Sequence, residues 1–267
     1  MSGSQIAISE ITTAQWSFEE DVEQYGKTEG VDGIGVWRDK LAAFDGTTRE
    51  AADLIDDAGL SSSSLIFAGG FNDPEEFGQQ IDDAKQAIAD AQTLGAPVLL
   101  VLAGPRLGGG TAAIDESVRQ ALDALAPVAR DAGITLALEP LHPIDVTRFS
   151  SVVTMDQALD IVDGIDGVGL MYDTWNTWWE PELAAGIDRA GSNLAAVQLA
   201  DWSEQSGGPR DREAPGRGEA PLDEIVDMLD DAGYEGWYEV ELFCEQYDES
   251  EYPDLLTACV DGTREVL

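Results

Sequence analysis

"APVARDAGITLALEPLHP", residues 126–143, contains the pattern on which the rest of the chain is built. A stretch of helical period closes on Ala-Gly, a short apolar run follows, and that run ends on a carboxylate, Glu139, set between Leu138 and Pro140. Glycine just past a helix permits the left-handed cap that stops it. So brief an apolar run has the length of a strand, not of a buried helix. The unit therefore reads as helix, stop, buried strand, and a loop that begins at a charge.

The same unit recurs in both directions along the chain. Apolar runs fall at QIAIS (5–9), DGIGVW (32–37), SSLIFA (63–68), PVLLVLA (97–103), TLALE (135–139), VGLMYD (168–173), LAAVQLA (194–200) and WYEVELF (237–243). Amphipathic stretches separate them, several closing on Ala-Gly as in DLIDDAGL and DMLDDAGY. Strands alternating with helices favour βα units and a parallel sheet. Eight such repeats in 267 residues predict an α/β fold, a closed (β/α)8 TIM barrel forming one domain over 1–267. In that fold the residues ending each strand face the active-site mouth.

Composition narrows the partners. Asp and Glu number 53 against 14 Lys and Arg, a formal net charge of -39. Such a surface repels phosphate backbones and anionic membranes, so neither nucleic acid nor a membrane is expected as a partner. The acids are spread over every predicted helix, the profile of a cytoplasmic protein working in molar salt, where the screening length is about 3 Å. No run has the length of a membrane span, and MSGSQIAISE lacks the features of a signal peptide, so a soluble cytoplasmic chain is expected. The sequence is compatible with a homo-oligomer. Cys244 and Cys259 make no disulfide framework and read as packing residues. "GPRLGGG" (104–110) lacks the spacing of a dinucleotide or Walker motif and reads first as a flexible loop, second as a phosphate cradle.

Strands five to eight carry a distinctive set at their ends: Glu139, Asp173, Gln198, and the pair Glu239 and Glu241. Carboxylates converging on one small mouth repel by several kcal/mol at about 4 Å. A divalent cation would relieve this. Oxygen ligands from Glu139, Asp173, Gln198 and Glu241 suit Mn2+ or Mg2+ better than zinc, since His142 is the sole histidine. Glu239 and Glu241 share a strand face; one is expected at the metal, the other beside an arginine or deeper in the barrel. Trp16, Trp37 and Trp175 fall near predicted strand ends, where flat faces stack on sugar C–H surfaces or simply fill the loops.

On "GVWRDKL", "LALEPLHP", "YDTWNTWWEP", "DREAPGRGEAPL" and "AGYEGWYEVELF" the chain resembles, over nearly its whole length, the sugar phosphate isomerase/epimerase family of xylose isomerase-like TIM barrels. The resemblance implies that Glu139, Asp173 and Glu241 are metal ligands, Glu241 being preferred to Glu239. It implies Arg212 as a substrate-holding arginine. It also implies Glu139 and Glu241 as the catalytic pair that moves a proton next to the carbonyl of a sugar or polyol ketone. His142 would bond a substrate hydroxyl or fix its own loop. The chain departs from the family at two positions: Gln198 stands where a histidine ligand is usual, and Asn176 where a substrate-binding histidine is usual. A metal-dependent isomerase, epimerase or dehydratase is the leading reading; a sugar-binding protein on an altered site is the second. The arginines at 210, 212 and 217 permit a phosphate, but an unphosphorylated small-molecule substrate is expected.

Overall fold

The computed structural model describes residues 5–73, 75–106, 110–243 and 246–267. Eight strands, β1 (Ile6–Ser9), β2 (Gly33–Trp37), β3 (Ser61–Gly69), β4 (Val98–Leu102), β5 (Thr135–Leu138), β6 (Val168–Asp173), β7 (Leu194–Leu199) and β8 (Tyr238–Val240), pair in sequence order. Every pairing is parallel, and β8 closes on β1. At least one helix follows each strand, from Phe18–Lys27 after β1 to Tyr252–Val266 after β8. The predicted barrel is the observed one.

Local chemistry sets the helix ends. Ser17 with Glu20, and Thr47 with Glu50, form reciprocal capping boxes that satisfy orphan amides in the first turn. At the other end Gly133, φ 75°, caps the helix Thr111–Ala132 and turns the chain into β5. A side chain there would meet the left-handed strain that glycine avoids.

The alternation of strand residues then sorts the core into two layers. On β4, Val98, Leu100 and Leu102 join an apolar cluster inside the barrel, while Leu99 and Val101 belong to the layer under the helices. On β6, Met171 faces in and Leu170 and Tyr172 face out; on β7, Ala196 faces in and Val197 and Leu199 face out. Extending each parity to the top of its strand brings Glu139, Asp173, Gln198, Glu239 and Glu241 inside. Register sets their heights, because Asp173 pairs with Gln198 and Gln198 with Glu239. Of the two cysteines, Cys259 is buried in the outer layer and Cys244 lies outside the described residues, as does the 107–109 part of GPRLGGG. Among the described residues no helix is long and apolar enough to cross a membrane.

Candidate active site

The mouth has two unlike walls around a cavity of about 240 Å3. Trp37, Ile66, Leu100, Leu102, Leu141 and Phe149 form the apolar wall, mostly over β2 to β4. Glu139, Asn176, Arg212 and Glu241 form the polar wall over β5 to β8.

The polar wall is built by short-range constraints. Asp173 ends β6 and caps the turn Thr174–Thr177, its Oδ1 accepting from the Trp175 amide at 2.8 Å. That turn aims Asn176, whose Nδ2 donates to Glu139 Oε1 and to Asp173 Oδ2, both at 2.9 Å. Its Oδ1 accepts from the His142 backbone amide at 2.9 Å, tying the loop after β5 to the loop after β6. Arg212 arrives from the long loop after β7. There Asp201, paired with Glu213 in a two-residue bridge, accepts from the amides of Trp202, Gly218 and Ala220 and so folds the loop back over the mouth. Arg212 Nη1 donates to Asp173 Oδ2 at 2.9 Å, to Glu241 Oε2 at 3.1 Å and to the Glu241 carbonyl at 3.0 Å. Its guanidinium carbon lies 5.1 Å from the Trp175 ring centre, a cation–π stack.

Gln198 is wholly buried. Its Nε2 donates to Glu239 Oε1 and to Glu241 Oε1, both at 2.9 Å. Glu239 lies a step deeper, its other oxygen accepting from Ser63 and Ser64 at 2.6 and 2.7 Å. Gly35 leaves room for it: a Cβ at that position would stand 2.5 Å from the Glu239 carboxyl carbon.

Burial governs the electrostatics. It raises Glu139 well above the usual carboxylate range, with the charges of Asp173 and Glu241 adding to it and Arg212 and Asn176 opposing. Burial also pushes Glu241 up to about 7, against the pull of Arg212. Asp173 is raised by burial and held back by Arg212 and by amide hydrogen bonds.

Other expected residues fall in different places. Trp37 and Trp175 line the cavity, while Trp16 packs edge-on against Tyr252 away from it, its ring centre 5.1 Å from the tyrosine's. His142 sits between Trp175 and Trp179, its Nδ1 accepting from the Ile144 amide, and it is not among the lining residues. The three arginines part company: Arg210 pairs with Asp145 at 2.5 Å, Arg217 with Glu265 at 3.7 Å, and only Arg212 reaches the carboxylates. The sequence reading named Trp37 and missed the rest of the apolar wall and Asp201. Strand parity could have found Ile66, Leu100 and Leu102, but nothing local marks Asp201 among so many acids.

A divalent ion does not fit this donor set as it is arranged. Among the described residues no group of three His, Cys, Asp or Glu is placed to hold one. An ion at a ligand distance of about 2.0–2.6 Å from both Asp173 Oδ2 and Glu241 Oε2 would compete with the Arg212 Nη1 cation that bridges them, and Asp173 Oδ2 already accepts a second bond from Asn176 Nδ2. The amide of Gln198 turns nitrogen, not oxygen, toward its two glutamates. Its Oε1, on the far side of the amide, is buried and has no partner among the described residues.

The comparisons with known proteins match this architecture. A protein of Streptomyces coelicolor provisionally named hydroxypyruvate isomerase is 30% identical over 224 residues, covering 74% of this chain and 77% of its own. An inosose isomerase of Halalkalibacterium halodurans is 27% identical over 220 residues, covering 78% and 74%. The crystal structure of the IolI protein with a bound zinc atom superposes with a TM-score of 0.86 at 23% identity, covering 98% of this chain and 97% of that one. The family model for the xylose isomerase-like TIM barrel matches residues 24–259, and with the closed eightfold barrel in hand the chain belongs to that family.

Proposed function

We propose that the chain is an isomerase or epimerase of a small sugar or sugar-like hydroxy ketone, acting by proton transfer at the carbon next to the carbonyl. The observation that carries this reading is a pair of buried glutamates, Glu139 and Glu241, lining one cavity from strands separated by β6 and β7. One glutamate takes the proton from the C–H bond, and the electron pair moves onto the carbonyl oxygen to give an enediolate. The other returns a proton, to the opposite face of the same carbon for epimerisation, or to the former carbonyl carbon for isomerisation, in which case the hydroxyl proton of the first carbon passes to the enediolate oxygen as the new C=O forms. A base works best with its pKa near the working pH. Glu241, pushed up to about 7, meets that condition, and burial raises Glu139, its partner across the cavity, as well.

The developing oxyanion needs donors already in place. Arg212 Nε and Trp175 Nε1 are buried and have no partner among the described residues, and both side chains line the cavity. The apolar wall limits the substrate as well. A hydroxyl turned toward Leu100 and Leu102 would be left unpaired at a cost of about 1–3 kcal/mol, so the substrate presents carbon there. Names of relatives support the class: one is provisionally a hydroxypyruvate isomerase and another an inosose isomerase.

The test is deuterium incorporation next to the carbonyl, followed by proton NMR in D2O containing molar KCl, with hydroxypyruvate, inosose and ketohexoses as candidates. Exchange that falls by about 10²–10⁴-fold in Glu139→Gln and Glu241→Gln supports the reading. Binding of these compounds without exchange would replace it with a second reading, a sugar-binding protein, which the two amides at 176 and 198 favour.

A further inference from the structure

The polar groups at the mouth form an unbroken alternation. Asn176 Nδ2 joins Glu139 to Asp173, Arg212 Nη1 joins Asp173 to Glu241, and Gln198 Nε2 joins Glu241 to Glu239, each bond between 2.9 and 3.1 Å. Four carboxylates are thus linked by three nitrogen donors, and the central donor is a full cation. We infer that Arg212 is the resident cation of this mouth and stands in place of a divalent ion, so that this chain's site works without metal.

Three features of the arrangement lead there together. The guanidinium lies on the two oxygens a metal would need most, those of Asp173 and Glu241, and it cannot give up its charge. It is also fixed: 6% exposed, stacked on Trp175 and bonded to the Glu241 carbonyl. A metal entering the mouth would have to expel a buried cation from four contacts.

The two amides fit the same account. A metal ligand must present a lone pair, and a neutral imidazole does so, whereas the NH2 groups of Gln198 and Asn176 present hydrogens to carboxylates. Each NH2 donates to two carboxylates, where a neutral imidazole has a single N–H to give. With Arg212 and two amides, each of the four carboxylates receives at least one donor. The consequence for chemistry is a single positive charge beside the enediolate, delivered by a planar group whose Nε has no partner among the described residues.

This inference concerns the site of the proposed isomerase, but metal binding is measured without substrate, so its failure is separate from failure of that reading. Full-length protein in molar KCl, stripped with EDTA and dialysed, would be titrated with Mn2+ by calorimetry and by electron paramagnetic resonance of free Mn2+. The expected result is no stoichiometric site in the wild type, with any weak uptake by outer acids unchanged in Asp173→Asn. The double variant Arg212→Met, Gln198→His is expected to gain one equivalent of Mn2+. One tight equivalent in the wild type, abolished by Asp173→Asn, would overturn the inference. That measurement needs no variant that must tolerate loss of Arg212. As an independent readout, any deuterium exchange shown by the wild type should keep its rate in EDTA, and a loss restored by Mn2+ would overturn the inference equally.

Discussion

Carboxylates occupy two regions of this molecule under opposite conditions. At the mouth Glu139, Asp173, Glu239 and Glu241 are buried, and each is met by named donors. On the outer helices Asp53, Asp56 and Asp57, or Asp223, Glu224 and Asp227, stand exposed on faces with few cations near them. The mouth groups suffer desolvation, which only fixed donors offset. The outer groups keep their water and suffer mutual repulsion, which mobile salt offsets. One residue type thus has its energetics set by geometry inside and by solvent outside.

The largest way to break the comparison is to remove the salt. From molar concentration to about 0.01 M the screening length grows from about 3 to about 30 Å, and a chain of charge -39 is expected to lose its helical circular dichroism cooperatively. Full retention of that signal in dilute buffer would show that the outer acids do not govern stability. Next in size, Arg212→Met leaves buried carboxylates uncompensated and is expected to cost about 3–5 kcal/mol in denaturant unfolding at high salt. A loss no greater than that of an exposed arginine would mean that the mouth carboxylates are protonated or otherwise satisfied.

Glu10 gives a smaller, pH-dependent test. It is buried at the end of β1, with Oε2 accepting from the Trp37 amide at 2.7 Å, and beside it Asp21 is ion-paired with Lys40. Burial first, and then the Asp21 charge, raise its pKa well above the ordinary value of 4.5. Above that value the folded state binds more protons than the unfolded chain. The Glu10 contribution is therefore complete at low pH and is lost as pH rises through the raised value. Glu10→Gln should flatten the fall in melting temperature as pH rises above the ordinary carboxylate range; an unchanged slope would assign that fall to other groups. Smallest of all, Asp53→Asn on an outer helix should stay within about 0.5 kcal/mol of wild type at high salt, and a larger shift would mean that outer acids make specific contacts.

Much of the site was legible because strand parity and strand ends are local. "LALEPLHP" and "YDTWN" set Glu139 and Asp173 at the mouth by alternation alone, and Gln198 followed from the same rule. Glu239 and Glu241 could not be ranked that way, because residues two apart share a face. Ser63 and Ser64 on β3 and the space over Gly35, all distant in sequence, place Glu239 deeper. The tryptophans divided for a similar reason: Trp37 ends a strand and lines the cavity, while Trp16 lies past a turn and packs on the C-terminal helix.

The sequence by itself determined the barrel, since the period of apolar residues, the glycine stops and the strand lengths act within a few residues of one another. It also determined which strands carry acid. Only the tertiary structure decided what faces those acids, because Arg212 comes from a loop 39 positions beyond Asp173 and is aimed by Asp201 and by the stack on Trp175. Local sequence encodes which side of a strand a residue takes; the distance between a guanidinium and two carboxylates depends on how separate strands and loops close around a common axis.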